Sequence, residues 1–89
     1  MNSVTNERFR KAYSYLPEDI KEAAKNTYRL WKKNPSHPSF RLKKIHDTKP
    51  IYSIRIGLSY RAVGVKNKDA IIWFWIGNHD DYENLISNL

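Results

Sequence analysis

Residues 70 to 76, AIIWFWI, limit the fold of this chain more than any other stretch. The run is unbroken and apolar, with two tryptophans and three isoleucines. It is too short to cross a bilayer and is rich in residues that favour strands. Such a run predicts a strand buried on both faces. It passes directly into GNHDDY, so that Gly77 and Asn78 end the strand and His79, Asp80, Asp81 and Tyr82 follow where the chain leaves the sheet. A rigid strand that ends in ionisable side chains is a good support for polar chemistry.

The whole 89-residue chain can supply one core and no second one, which predicts a single domain over residues 1–89. There is no cysteine, so disulfides and thiolate metal sites are unavailable, in keeping with a reducing cytoplasm. The N-terminal MNSVTNERFRKAY has no apolar signal core, and neither secretion nor a membrane anchor is expected.

The net charge of +7 is unevenly spread. Residues 1–46 hold eleven Lys/Arg and four Asp/Glu, 11 − 4 = +7, whereas residues 47–89 hold five of each and sum to zero. Arg29, Lys32, Lys33, Arg41, Lys43 and Lys44 follow one another with no acidic residue between Arg29 and Lys44. Such an excess attracts polyanions, with steep salt dependence where phosphates are contacted; the alternative is a solvated basic face.

Taken in order, Thr5 is expected to cap a first helix, with Val4 and Phe9 as a hydrophobic staple. Phe9, Ala12, Tyr13 and Leu16 then recur at helical spacing. Pro17 restarts the pattern for a second helix with the stripe Ile20, Ala23, Ala24, Thr27, Leu30 and Trp31, ending at Lys32 and Lys33. NPSHPSFR, residues 34 to 41, reads as a surface loop, with His37 solvated. Tyr52, Ile54 and Ile56 alternate with Ser53 and Arg55, and a turn at Gly57 to Ser59 leads to Tyr60 to Val65. With the Ala70 run these make a three-stranded meander. Asp80 and Glu83 have the spacing of a capping box for a short C-terminal helix. The fold class expected is α+β: a helical hairpin packed on one face of a small antiparallel sheet, with the other face partly open.

That open face would be rimmed by Lys43, Lys44, His46, Arg55, Arg61 and His79, with Arg41 at the entry to the sheet. No ligand spacing for a metal, nucleophile elbow or phosphate loop is present, and no metal or other cofactor is expected. What remains is acid–base and electrostatic chemistry on a phosphodiester. RNA carries its own nucleophile, the 2′-hydroxyl, so an enzyme need only orient it, remove one proton and supply another. On this reading His46 or a lysine is the base, His79 the acid and Arg61 the phosphate clamp. Tyr82 would stack on a nucleotide base, while Lys43, Lys44, Arg41 and Arg55 bind RNA phosphates. The bland reading of His79 is a hydrogen-bonded structural residue at a strand end, and Trp31, Trp73 and Trp75 read as core.

The segment from Phe9 to Leu85 resembles the RelE/ParE superfamily of bacterial type II toxins. The resemblance is carried by the helical hairpin followed by NPSHPSFRLKKI, then YSIRIGLSYRAVGV, then IIWFWIGNHDDY. In the family an arginine at the place of Arg61 follows a glycine turn and an aromatic, and a later strand ends in histidine or arginine with a tyrosine shortly after. The resemblance implies ribosome-dependent mRNA cleavage, with Arg61 on the phosphate, His79 as acid, Tyr82 near the family's C-terminal tyrosine and His46 where some members use a base. It also implies a cognate antitoxin as protein partner and mRNA on the ribosome as substrate. Gyrase inhibition without nuclease chemistry, or a degenerate antitoxin-binding domain, are the alternatives within the superfamily. Members usually begin with a strand before the hairpin, and here only a few residues precede Phe9, so that strand is expected to be short or missing. No glutamate occupies the position before the sheet that some members use as a base.

Overall fold

The computed structural model describes residues 2–89. Its elements are β1 (Asn2–Thr5), α1 (Glu7–Ser14), α2 (Glu18–Lys33), a 3-10 turn at Pro38–Phe40, β2 (Lys43–Lys44), β3 (Ile51–Ile56), β4 (Tyr60–Asn67), β5 (Ala70–Asn78) and α3 (His79–Ser87). The strands form one sheet in the order β1-β5-β4-β3-β2. The expected meander is present as β3, β4 and β5, all antiparallel. Two edge strands extend it. β2 is antiparallel to β3, and β1 is parallel to β5.

β1 answers the question of the opening strand: it exists and is four residues long. It has little apolar content of its own and is held from outside. Trp73 donates its indole N–H to Ser3 Oγ at 2.8 Å, and the Tyr28 hydroxyl donates to the Ser3 carbonyl at 2.9 Å. Because the strand runs through Thr5, the helix cap moves on to Asn6, whose side chain accepts from the Phe9 N–H at 2.9 Å. Asn is as good a cap as Thr, and pairing with β5 decides between them.

β5 is covered on both faces, but not by simple alternation. Val63 stands opposite Trp75 and Gly64 opposite Trp73, which leaves Phe74 as an extra residue in β5. A bulge of this kind reverses the phase of the side chains. Ile71 and Trp73 before it and Ile76 after it join the core beneath α1 and α2. Phe74 and Trp75 both pack on the opposite face, against Ile51, Val63 and Tyr82.

Under the helices Trp31 meets Trp73 and Phe40 edge to face, with ring centroids 5.4 and 5.5 Å apart. Phe40 is 1% exposed, so the expected surface loop at 34–41 is a surface segment only in part. Its 3-10 turn, capped by His37 Nδ1 accepting from the Ser39 N–H, drives Phe40 into the core. The second face is less open than expected, because α3 folds back over it through Tyr82, Leu85 and Ile86. The cap of α3 is Asn78, accepting from the Asp81 N–H at 2.8 Å, rather than Asp80. Among the described residues no helix is long and apolar enough to cross a membrane.

Candidate functional site

Cross-strand register fixes which basic side chains share a face, because residues directly opposite one another point the same way. Val63 and Trp75 are paired and lie in the cluster under α3, and Ser53 pairs with Val63. Two residues along, on the same face, Arg55 pairs with Arg61 and Arg61 with Gly77. Lys43 pairs with Ser53 and joins them, whereas Lys44 pairs with Tyr52 and belongs to the face under the helices. The two lysines are therefore split between the faces, as strand alternation requires.

Arg55 and Arg61 are both partly buried and neither has an acidic partner within salt-bridge distance among the described residues. Each is steadied by a main-chain carbonyl. Arg55 Nε donates to Gly57 O at 2.8 Å and Arg61 Nη1 to Tyr60 O at 2.9 Å. The Arg61 guanidinium also lies 6.0 Å from the centre of the Tyr82 ring, within cation–π range.

His79 begins α3. Its N–H donates to Ser59 O at 2.8 Å, which ties the helix to the β3–β4 turn, and its ring is exposed. The imidazole Nε2 stands 3.4 Å from Glu83 Oε1, one helical turn on, and its ring centre 6.0 Å from that of Tyr82. Arg61 and His79 thus flank the same tyrosine from strand and helix.

Tyr82 does not take the base-stacking place expected of it. It is 6% exposed, with its hydroxyl donating to the buried Ser53 Oγ at 3.0 Å and its ring against Trp75. Burial leaves no ring face for a nucleotide. Tyr82 instead supports Arg61 and His79 from below.

His46 is not in this group either. Ile45 donates to the Ile51 carbonyl, so His46 lies beyond that pair, while Arg55 is four residues further along β3. At strand rise the separation is about 13 Å along the sheet before the lateral distance is added. His46 Nδ1 accepts from the N–H groups of Thr48 and Lys49 at 3.2 and 3.0 Å, a turn-closing role. Arg41 follows the 3-10 turn with φ 49° and ψ 49°, and it shares an open groove with Arg55 and Leu58 at the free side of β3. Among the described residues no group of His, Asp and Glu is placed to hold a metal ion.

Sequence reasoning missed three contributors. Glu83 was seen only as a cap, yet the spacing of four from His79 in a helix carries the signal of a pair. Ser53 was legible as the one polar side chain between Ile51 and Ile54. Gly77 gave no sign of its role: a Cβ there would come within 2.6 Å of the Trp75 ring, which lies across it beside Arg61.

A ParE-like toxin domain matches residues 18–84. A search of curated proteins finds no match to the sequence. Among solved structures, the chain is similar to a RelB–RelE antitoxin–toxin complex from Methanococcus jannaschii, with TM-score 0.76, 22% identity and coverage of 92% of this chain and 96% of that one. It is similar to the RelE–RelB complex of Pyrococcus horikoshii, with TM-score 0.68, 21% identity and coverage of 86% and 92%. YafQ from E. coli shares the fold with TM-score 0.72 at 10% identity, covering 91% and 96%. These likenesses speak to the fold, and the matched domain to the family. The chain belongs to the ParE-like toxin family, within the RelE/ParE superfamily.

Proposed function

We propose that the chain is the toxin of a type II toxin–antitoxin system and cleaves mRNA on the ribosome in the cytoplasm, held in check by a cognate antitoxin. The observation that carries this reading is the Arg55–Arg61 pair: two arginines stand opposite one another across β3 and β4, with Lys43 on the same face and no acidic partner among the described residues. Like charges directly opposite cost stability, and a bound phosphate reverses that cost. The toxin–antitoxin complexes among the structural relatives support the partner.

In this mechanism Arg61 and Arg55 hold the non-bridging oxygens of the scissile phosphate and oppose the charge that builds on them. Glu83 takes the proton of the 2′-hydroxyl as its oxygen bonds to phosphorus. The bond to the 5′-oxygen breaks, and the protonated His79 gives its proton to that leaving oxygen. The products are a 2′,3′-cyclic phosphate and a free 5′-hydroxyl. Neither a metal nor a protein nucleophile takes part.

The test is expression in bacteria with mapping of mRNA ends, using Arg61→Ala and His79→Gln as controls. Cleavage within translated messages that both substitutions abolish is the expected result. DNA damage with intact messages would assign the chain to gyrase instead, and unimpaired growth with intact messages would mark a domain without toxicity.

A further inference from the structure

Helices α1 and α2 leave a cleft between them over the sheet. α1 buries none of its residues completely, although Phe9 and Tyr13 of its apolar stripe pack against the core. Both rings face a space of about 170 Å³. Ile54, Ile56 and Trp73 form its floor, and Tyr28 of α2 lines it opposite α1. Protein interiors hold few voids larger than a water molecule, and an apolar cavity of about 150 Å³ takes up benzene. The cleft therefore has room for one small ring.

The polar side chains along its walls are already engaged. Tyr28 donates its hydroxyl to Ser3 O at 2.9 Å, Thr27 to Ala23 O at 2.8 Å, Tyr13 to Lys21 O at 3.4 Å, and the Trp73 indole donates to Ser3 Oγ at 2.8 Å. None has a donor to spare, whereas a trapped water needs about two to four polar partners. The interior thus favours an apolar guest. The entrance is different. Arg10 and Lys25 also line the cleft, both are exposed, and no Asp or Glu lines it. Neither cation has an acidic partner within salt-bridge distance among the described residues. Arg10 Nη1 donates to Thr5 O at 2.7 Å and to Thr5 Oγ1 at 3.3 Å, which fixes the guanidinium at the rim and leaves donors on its other nitrogens.

We propose that this cleft is a binding site for a small amphipathic acid: an aromatic or branched hydrocarbon body of about six to nine carbon atoms inside, and one carboxylate at the rim on Arg10 and Lys25. An apolar interior with a cationic mouth complements that chemistry at both ends. A nucleobase fits less well, since the interior has no free donor for its polar edge, and the volume excludes a long acyl chain taken up whole. The guest would touch Ile54 and Ile56 on the face of β3 under the helices, while Arg55 between them belongs to the other face. Binding therefore stabilises the folded chain and leaves the arginine face open. The inference goes beyond the nuclease reading and holds whether or not the chain cleaves RNA.

The test titrates phenylpropionate into the full chain and follows amide chemical shifts and the unfolding temperature. Saturable shifts at Ile54, Ile56 and Trp73 are expected, with an unfolding temperature that rises with concentration by mass action. The uncharged phenylpropionamide should bind about tenfold more weakly. Arg10→Gln and Lys25→Gln should each weaken phenylpropionate about fivefold and leave the amide unaffected, a difference that a general loss of structure would not produce. Thr27→Leu, which places a larger apolar side chain in the cleft, should abolish binding of both compounds. The proposal is overturned if the amide binds as tightly as the acid, or if both cation variants bind phenylpropionate like the parent. It is also overturned if the shifts fall on the face of Arg55 and Arg61, if acetate or tetradecanoate binds as tightly as phenylpropionate, or if no saturation is reached in the millimolar range.

Discussion

Arg55 and Arg61 stand directly opposite each other on adjacent strands, in a pair of the kind that lacks mutual main-chain hydrogen bonds and brings side chains closest. Two positive charges so placed oppose folding and favour an anion. Arg55→Gln should therefore stabilise the protein, by a few tenths to about 1 kcal/mol, in urea unfolding. The same variant should bind single-stranded RNA more weakly, with the slope of log affinity against log salt reduced by about 0.7. Loss of stability together with an unchanged slope would show that the pair is structural and has no part in RNA binding.

Tyr82→Phe separates support from chemistry. It deletes the hydroxyl that donates to Ser53 Oγ in a buried setting and keeps the ring beneath Arg61 and His79. A cost of about 1–2 kcal/mol in unfolding free energy is expected, with the cleavage rate of the folded protein little changed. A rate loss of a hundredfold or more without loss of stability would restore the tyrosine to a catalytic place.

Ser3→Ala tests how β1 is held. The substitution leaves the indole N–H of Trp73, which is 2% exposed, without its partner at 2.8 Å. An unsatisfied buried donor costs about 1–3 kcal/mol. Hydrogen exchange should accelerate first in Asn2–Thr5, because beyond its pairing with β5 the strand is kept in place only by side-chain bonds: this one, the Tyr28 bond and those of Arg10 to Thr5. Uniform acceleration across the sheet would indicate that β1 does not open separately.

Gly77→Ala is expected to disturb the site from within the sheet. The added Cβ falls 2.6 and 2.8 Å from atoms of the Trp75 ring, so the ring must move, and it packs beside Tyr82. Overpacking of this kind costs about 1–3 kcal/mol. A shift in tryptophan emission and weaker RNA binding at unchanged salt slope should accompany it. A variant with parental emission and stability would mean that the ring has room the structure does not show.

Much of the chain was legible because its signals are local. The apolar run of β5, the helical stripes closing on Ala24 and Trp31, and the meander from Tyr52 onward each follow from periodicity within one segment, and each appears in the fold. Errors arose where a remote partner outbid a local preference. Thr5 lost the helix cap to Asn6 because it pairs with Trp73 in the sheet. Phe40 left its loop for the core because Trp31 and Trp73 offered a pocket.

The sequence by itself determined the α+β class, the basic first half, and the presence of Arg61, His79 and Tyr82 near the ends of β4 and β5. Only the tertiary structure decided which of these share a site. Register puts Arg55, Arg61 and Lys43 on one face and sends Lys44 to the other, strand length puts His46 out of reach, and the return of α3 buries Tyr82 while leaving His79 in the open. The reason is physical. Side-chain type and spacing are properties of a segment, whereas face, register and burial are set by contacts between segments far apart in the chain, with one extra residue at Phe74 enough to reverse them.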